Sequence, residues 1–304
     1  MGIPRKTISI VFAFFAIYVI WGSTYLLNKI AVSELPPFKL AAIRFIAASI
    51  IIFIIAKLLK VNIKITKTQL KNTVIAGFLF LTFGNGVVVW ALKYVDSGFA
   101  ALEISAQPLV VLILMRILQK KKIPTMAYIG VILGIIGIYL LVSQKQLISQ
   151  EGQITGMIMI FLCMLSWAYG SLFVGKADLP SNFFVNTGYQ MLMGGFMLGL
   201  ASLIFGETWT LPNTWSENVQ WSMLGLIIFG SIIAFTAFNF LLKEVSPEKV
   251  ATNTYVNPII ALILGWWILN ETITLQSIIA AVVLLTGVYF INTNRIIKPR
   301  GIGR

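Results

Sequence analysis

The stretch LKYVDSGFAALEISAQPLVVLIL, residues 92–114, returns in a second form at residues 242–264, where the chain reads LKEVSPEKVATNTYVNPIIALIL. The same shift of 150 residues, continued as far as residue 139, gives 12 identities in 48 positions without a gap. Self-similarity at a fixed spacing indicates a duplicated structural unit. We therefore expect two repeats, a first in residues 1–146 and a second in residues 147–304.

The composition of the chain is that of a membrane protein. Of its 304 residues, 58% are hydrophobic and 11% are charged, whereas a soluble domain has about 25% charged residues. A helix that crosses a bilayer needs about 20 apolar residues. The candidate runs are residues 8–31, 37–56, 72–92, 97–118, 124–142, 154–174, 183–205, 221–242, 247–269 and 273–292. We predict an all-α integral membrane protein with ten transmembrane helices, five in each repeat.

Five helices per repeat determine how the repeats are oriented. Because five is odd, the second repeat enters the membrane from the opposite side, and the two repeats are inverted around a central cavity, as in many secondary transporters. Both termini then share one side with 18 of the 23 basic residues. The positive-inside rule predicts cytoplasmic termini in a multi-pass protein of the cytoplasmic membrane. The net charge of +13 thus reflects topology, and no nucleic-acid partner is expected.

The scarcity of reactive residues argues against an enzyme. The chain has no histidine and one cysteine, Cys163, so the usual zinc sites and Ser-His-Asp chemistry are excluded. No metal, cofactor or ATP site is predicted. The expected partners are a small-molecule substrate and membrane lipids, with the protein as a monomer or a homodimer.

Five segments in sequence order resemble the EamA branch of the drug/metabolite transporter superfamily. They are WGSTYLLNKIAV (21–32), LPPFKLAAIRF (35–45), VDSGFAALEISAQPLVVLIL (95–114), SPEKVATNTYVNPIIALILGW (246–266) and LNETIT (269–274). The resemblance covers nearly the whole chain. It implies a ten-helix fold with a central cavity, and export of amino acids, related metabolites or toxic compounds. The family pattern also has a glutamate between helices 4 and 5, which this chain keeps only in the second repeat, as Glu271.

Glu103 is the acid placed deepest in the apolar runs, and Gln107 follows one turn later on the same helix face. A charge inside a membrane helix costs about 2.5–3.5 kcal/mol on insertion scales. Three interpretations remain open: a structural ion pair with Arg44 or Lys29, a proton- or substrate-binding carboxylate, and a position among lipid headgroups. The most specific hypothesis is that Glu103 couples transport to proton movement.

Other polar and aromatic side chains complete a candidate solute site. The set is Trp21, Tyr25, Asn85, Trp90, Glu103, Gln107, Trp167, Tyr169, Gln190, Asn239, Asn253, Tyr255 and Asn257. Packing or an interfacial position is the alternative for each aromatic residue. Pro108 and Pro258, at equivalent places in the two repeats, are each expected to interrupt a helix beside the cavity, with a plain kink that shapes packing as the alternative.

Together these patterns predict a secondary transporter that moves a small organic metabolite, such as an amino acid or a related compound, by alternating access. Export is the favoured direction. A solute sensor embedded in the membrane and a multidrug exporter are the alternatives.

Overall fold

The computed structural model describes residues 5–120, 125–144, 151–245, 250 and 253–293, and for residues 5, 125, 242, 243, 254, 255 and 291–293 only the backbone. The predicted repeat boundary at residues 146 and 147 lies outside these ranges. Within them the regular structure is entirely helical.

Ten apolar helices make up the described part of the chain. The first five are α1 (Lys6–Val32), α2 (Pro37–Leu58), α3 (Lys67–Ala91), α4 (Ser97–Gln119) and α5 (Thr125–Val142). The second five are α6 (Gln153–Val174), α7 (Phe183–Ile204), α8 (Glu217–Leu241), α9 (Asn253–Leu269) and α10 (Leu275–Thr293). Seven are long and apolar enough to cross a membrane, while α5, α9 and α10 carry shorter apolar stretches. The predicted all-α membrane fold is confirmed.

The direction of equivalent helices follows from close contacts between α2 and α7. A Cβ at Gly188 would lie 3.0 Å from the Phe53 ring, and a Cβ at Gly195, farther along α7, would lie 2.8 Å from Cγ1 of Ile46. Because the contacts move backward along α2 as α7 advances, the two helices are antiparallel. This is the relation that inverted repeats require.

The helices of the two repeats pack as symmetric sets. Equivalent helices contact each other in the pairs α2 with α7, α4 with α9 and α5 with α10. The contact of α1 with α9 has its counterpart in α6 with α4, and that of α3 with α6 in α8 with α1. The core therefore lies between the repeats rather than within each of them.

Side chains fix the starts of several helices. At the start of α3, Thr66 and Gln69 form a capping box, in which each side chain accepts a hydrogen bond from the other's backbone N–H. Asn182 accepts hydrogen bonds from the first turn of α7, and Ser216 does so for α8. These contacts satisfy backbone donors that a helix start leaves free.

Several helices are irregular near the middle of the bundle. α1, α3 and α8 contain π-helical segments at Ala16–Ile20, Phe78–Asn85 and Leu226–Phe235, a feature that is frequent at functional sites. α4 divides into Ser97–Ile104 and Gln107–Gln119.

The expected pair of proline breaks is only half correct. Pro108 is the second residue of the second part of α4, in the first turn, where a missing N–H costs little. Pro258 instead lies inside the continuous helix α9, so the equivalent prolines have different effects on their helices.

Candidate functional site

Five aromatic rings meet between the repeats and form the central aromatic cluster: Trp21 of α1, Phe80 of α3, Trp167 of α6, and Phe235 and Phe238 of α8. The ring centroids of Trp21 and Trp167 are 6.0 Å apart, those of Trp21 and Phe238 5.0 Å, and those of Phe80 and Trp167 4.8 Å. These separations are favourable for aromatic pairs. The structure thus brings the predicted Trp21 and Trp167 together across the two repeats.

Three of the five rings in this cluster lie in a π-helical segment or directly after one. Phe80 lies within the π-helical segment of α3, Phe235 ends that of α8, and Trp21 directly follows that of α1. A π-turn shifts the side chains that follow it around the helix axis. The three irregular helices therefore converge on the same rings.

Arg44 of α2 is buried against α1 and α8, with 3% of its surface exposed. Its Nε donates to Oγ of Ser231 at 2.8 Å, and its Nη1 donates to Oδ1 of Asn28 at 3.4 Å. Asn28 donates in turn to the carbonyl of Thr24. Arg44, Asn28 and Ser231 form the Arg44 site, which joins the first repeat to the second.

A group of amides lies between α7 and α8 and forms the amide cluster. Asn186 donates to Oδ1 of Asn239 at 3.3 Å and accepts from Gln190 at 3.0 Å. Asn239 also donates to Oγ1 of Thr187 at 2.9 Å. The predicted residues Gln190 and Asn239 therefore lie in one network, and Oε1 of Gln190 is buried with no hydrogen-bond partner in the described part of the chain.

Glu103 lies in the first part of α4, 4% exposed, and its Oε2 has no hydrogen-bond partner among the described residues. Gln107, on the same face, donates to the carbonyl of Met164 in α6 at 3.2 Å. The expected ion pair with Arg44 is not made, since Arg44 bonds to α1 and α8 instead. The alternative pair with Lys29 is not made either.

Lys29 instead binds the end of α3. Its Nζ donates to the carbonyls of Leu92 and Val95 at 2.8 and 2.7 Å, where a cation complements the helix dipole. Asp96 lies in the adjoining connection, outside the membrane-spanning segments. Burial raises the pKa of Asp96, the charge of Glu271 raises it further, and the charge of Lys29 lowers it.

One of the predicted amides of α9, Asn257, binds the π-helical segment of α1, and a second, Asn253, binds Asn257. With its side-chain amide assigned from the hydrogen bonds, Asn257 donates to the carbonyls of Ile17 and Tyr18 at 2.9 and 2.7 Å and accepts from Asn253 at 3.3 Å. Asn257 thus satisfies carbonyl groups in the irregular segment of α1 and joins α1 to α9. The side chain of Tyr255 lies outside the described part of the structure.

The remaining predicted residues do not gather at the central aromatic cluster. Tyr169 is 49% exposed and lies two positions after Trp167, on the opposite side of α6. Tyr25 is half-buried and packs against another part of the core. Asn85 ends the π-helical segment of α3, and its buried Oδ1 has no hydrogen-bond partner within the described ranges.

Trp90 lies near one end of the bundle. Its ring packs against Phe38 and Phe205 at 5.3 and 5.6 Å and lines an open pocket of about 430 Å³. The α1–α2 connection, the end of α3 and the start of the α7–α8 connection form the pocket walls.

At this end of the bundle, a carboxylate of the second repeat caps α4 of the first. Glu271 accepts hydrogen bonds from the N–H and Oγ of Ser97 at 2.8 and 2.9 Å and from the N–H of Gly98 at 3.0 Å. Gly265 makes room for it, because a Cβ there would lie 2.8 Å from the carboxyl carbon of Glu271. We call this end, where α2, α4 and α8 begin, the capped end.

Two further glutamates at the capped end make the same kind of contact between repeats. Glu207 accepts from the N–H groups of Phe38 and Lys39 at 3.1 and 2.7 Å, and Glu34 accepts from the N–H of Ser216 at 3.1 Å. Carboxylates at helix starts are favoured by the helix dipole. The three glutamates therefore link the two repeats by hydrogen bonds at this end.

Comparison with known proteins shows the family. The sequence profile described as "EamA-like transporter family" matches residues 8–143 and again residues 154–293. The chain belongs to the EamA-like transporter family. The resemblance inferred from the five motifs is confirmed, and family membership supports a transporter rather than an enzyme.

Relatives of this EamA-like protein carry transporter names. The "Uncharacterized inner membrane transporter YedA" of Escherichia coli (strain K12) is 35% identical over 304 residues, covering 97% of this chain and 96% of the relative. The "Uncharacterized transporter YoaV" of Bacillus subtilis (strain 168) is 22% identical, covering 94% and 97%. A solved structure described as "Crystal structure of protein" has a TM-score of 0.69 at 17% identity, covering 97% of this chain and 100% of its own. It shows the same fold.

Several residues of this EamA-like site were not among the predictions from sequence. Phe80, Phe235 and Phe238 gave no distinctive signal, because the chain has 21 phenylalanines and most membrane helices contain some. Asn28 and Ser231 did carry a signal, since each is a polar residue inside an apolar run.

Proposed function

We propose that this EamA-like protein is a secondary transporter that moves a small organic solute by alternating access between its two repeats. The observation that carries the proposal is the meeting of Trp21 and Trp167, from the first helix of each repeat, at the centre of the bundle. Because the central aromatic cluster and the Arg44 site both draw on the two repeats, a rocking motion between the repeats would open them.

The chemistry of the site favours a small amphiphilic metabolite, such as an amino acid or a related compound. Aromatic rings supply an apolar surface, while the Arg44 site and the amide cluster supply polar groups in separate places. Mostly apolar pockets with a few placed polar groups are typical of small-molecule sites. We propose export across the cytoplasmic membrane, with both termini cytoplasmic and the capped end outside.

A coupling role for Glu103 forms part of the proposal. Its buried Oε2, which accepts no hydrogen bond from any described residue, carries this part, because a charge in such a place is costly and a proton removes that charge. Glu103 would take up and release the proton as the space between α4 and α6 opens to either side.

Counterflow in liposomes tests the transport proposal. The purified protein is assayed with a panel of amino acids and the corresponding amines, and we expect exchange of at least one solute. Trp21→Ala should lower that exchange about tenfold, as loss of a buried aromatic contact does. Trp267→Ala, at a tryptophan that is 72% exposed on α9, is the control. Binding of a panel solute without any exchange would instead establish a sensor.

A further inference from the structure

The guanidinium of Arg44 has most of its hydrogen-bonding capacity unused. Of its five N–H groups, one binds Ser231 and one binds Asn28. Both acceptors are neutral, and Nη2 donates to no described group. The Cζ of Arg44 lies 4.9 Å from the centroid of the Phe45 ring. Among the described residues, this buried cation therefore has neutral partners only.

No described carboxylate neutralises this charge. Glu34, Glu207 and Glu271 accept backbone N–H groups at the capped end, and Glu103 lies on α4, where it makes no contact with Arg44. An unpaired buried ion costs several kcal/mol. An anion that enters the bundle would supply a negative charge for Arg44 to bind.

Nη2 lies against the backbone of α8. Gly230 has no side chain there, and a Cβ at this position would lie 3.0 Å from Nη2 and 2.8 Å from Cγ2 of Thr24. Any larger residue at position 230 would push against the guanidinium. Glycine at this position therefore lets the guanidinium approach α8 closely.

The same position in the second repeat carries no charge. Arg44 is the eighth residue of α2, and Gln190 is the eighth residue of α7. Gln190 is satisfied in part within the amide cluster. A guanidinium at only one of two equivalent positions is expected if it binds a ligand group that occurs once.

The distance from the Arg44 site to the central aromatic cluster suits one small molecule. Trp21, Thr24 and Asn28 follow one another on one face of α1 and connect the cluster to the Arg44 site. Seven residues of helix span about 10 Å. A solute of this length could place an anionic group at one end and an apolar group at the other.

We infer that Arg44 binds a carboxylate of the transported solute, whose apolar part lies against the central aromatic cluster. A planar carboxylate matches the parallel N–H groups of a guanidinium and forms two hydrogen bonds with it. The inference rests on the proposed transport function and names the class of substrate, an acid with an apolar body.

Binding to the full chain in lipid nanodiscs tests the inference. The four probes are L-phenylalanine and three compounds that each differ from it in one group. L-phenylalanine and 3-phenylpropionate carry a carboxylate, whereas L-phenylalaninamide and phenethylamine do not. We expect the two acids to bind at least about tenfold more tightly than the two probes without one. Arg44→Gln should remove this preference and leave the affinity for the amide unchanged.

Two variants separate binding from structural damage. Arg44→Lys keeps the charge but not the two-pronged geometry, so acid binding should fall several-fold while amide binding stays unchanged, even if Arg44→Gln fails to fold. Arg116→Gln removes an exposed arginine of α4 and should change nothing.

Three results would overturn the inference: failure of both acids to bind, equal binding of acids and amide, or an acid preference that survives Arg44→Gln. Arg44-dependent stabilisation by chloride alone, equal to that by the acids, would also overturn the carboxylate assignment. Counterflow of the same acids distinguishes the two proposals. Binding of the acids that depends on Arg44 but is not accompanied by flux contradicts the transport function. Flux of the acids that is the same in Arg44→Gln as in the unmodified protein contradicts only the inference.

Discussion

Among the single side chains, Arg44 and Glu103 are a basic and an acidic residue that lie buried in the bundle without binding each other. The sequence identified both as membrane-embedded charges, because each interrupts an apolar run. Their partners could not be predicted, since spacing along a helix does not fix which neighbour a face meets. Asn28 and Ser231, the partners of Arg44, come from two other helices.

The role of Glu103 is tested by replacing its carboxyl group. Glu103→Gln keeps the shape of the side chain and removes the proton site, so we expect solute-driven proton movement in liposomes to be lost while solute exchange continues. Glu217→Gln, at an exposed acid near the start of α8, is the control. Proton movement and exchange that both match the unmodified protein would contradict the coupling role.

Among the helices, α1 shows how an irregular element is stabilised by a distant one. Its π-helical segment leaves carbonyls to be satisfied, and Asn257 of α9 donates to two of them. Asn257 was predicted as a cavity residue because it lies deep in an apolar run. Asn257 is buried in the bundle, but the π-helical segment it binds has no signature in the sequence.

Removal of this amide should destabilise the bundle. Asn257→Ala leaves the carbonyls of Ile17 and Tyr18 without their donor, and we expect a loss of about 1–2 kcal/mol, measured as a lower unfolding midpoint in detergent. Asn218→Ala, at an exposed position of α8, is the matched control. An equal midpoint for both variants would show that the link contributes nothing.

For the bundle in its entirety, the apolar runs predicted ten helices and the duplication predicted two inverted repeats, and both are observed in the described part of the chain. The lengths of the apolar runs, the duplication and an odd number of helices per repeat are enough for that step. The contacts at the capped end were not predictable, because Glu34, Glu207 and Glu271 lie in connections and bind backbone groups far away in sequence. Those three carboxylates link the two repeats at the capped end, and alternating access would require the repeats to separate there.

Distances between the repeats, measured at both ends of the bundle by pulsed electron spin resonance, test whether the repeats rock around the central aromatic cluster. Spin labels attached to Ser33→Cys and Asn213→Cys report on the capped end, and labels on Lys67→Cys and Lys176→Cys report on the opposite end, all in a Cys163→Ala background. When a transported solute is added, we expect one pair to separate while the other pair approaches. Distances that stay fixed at both ends, or that change in the same direction, would contradict alternating access.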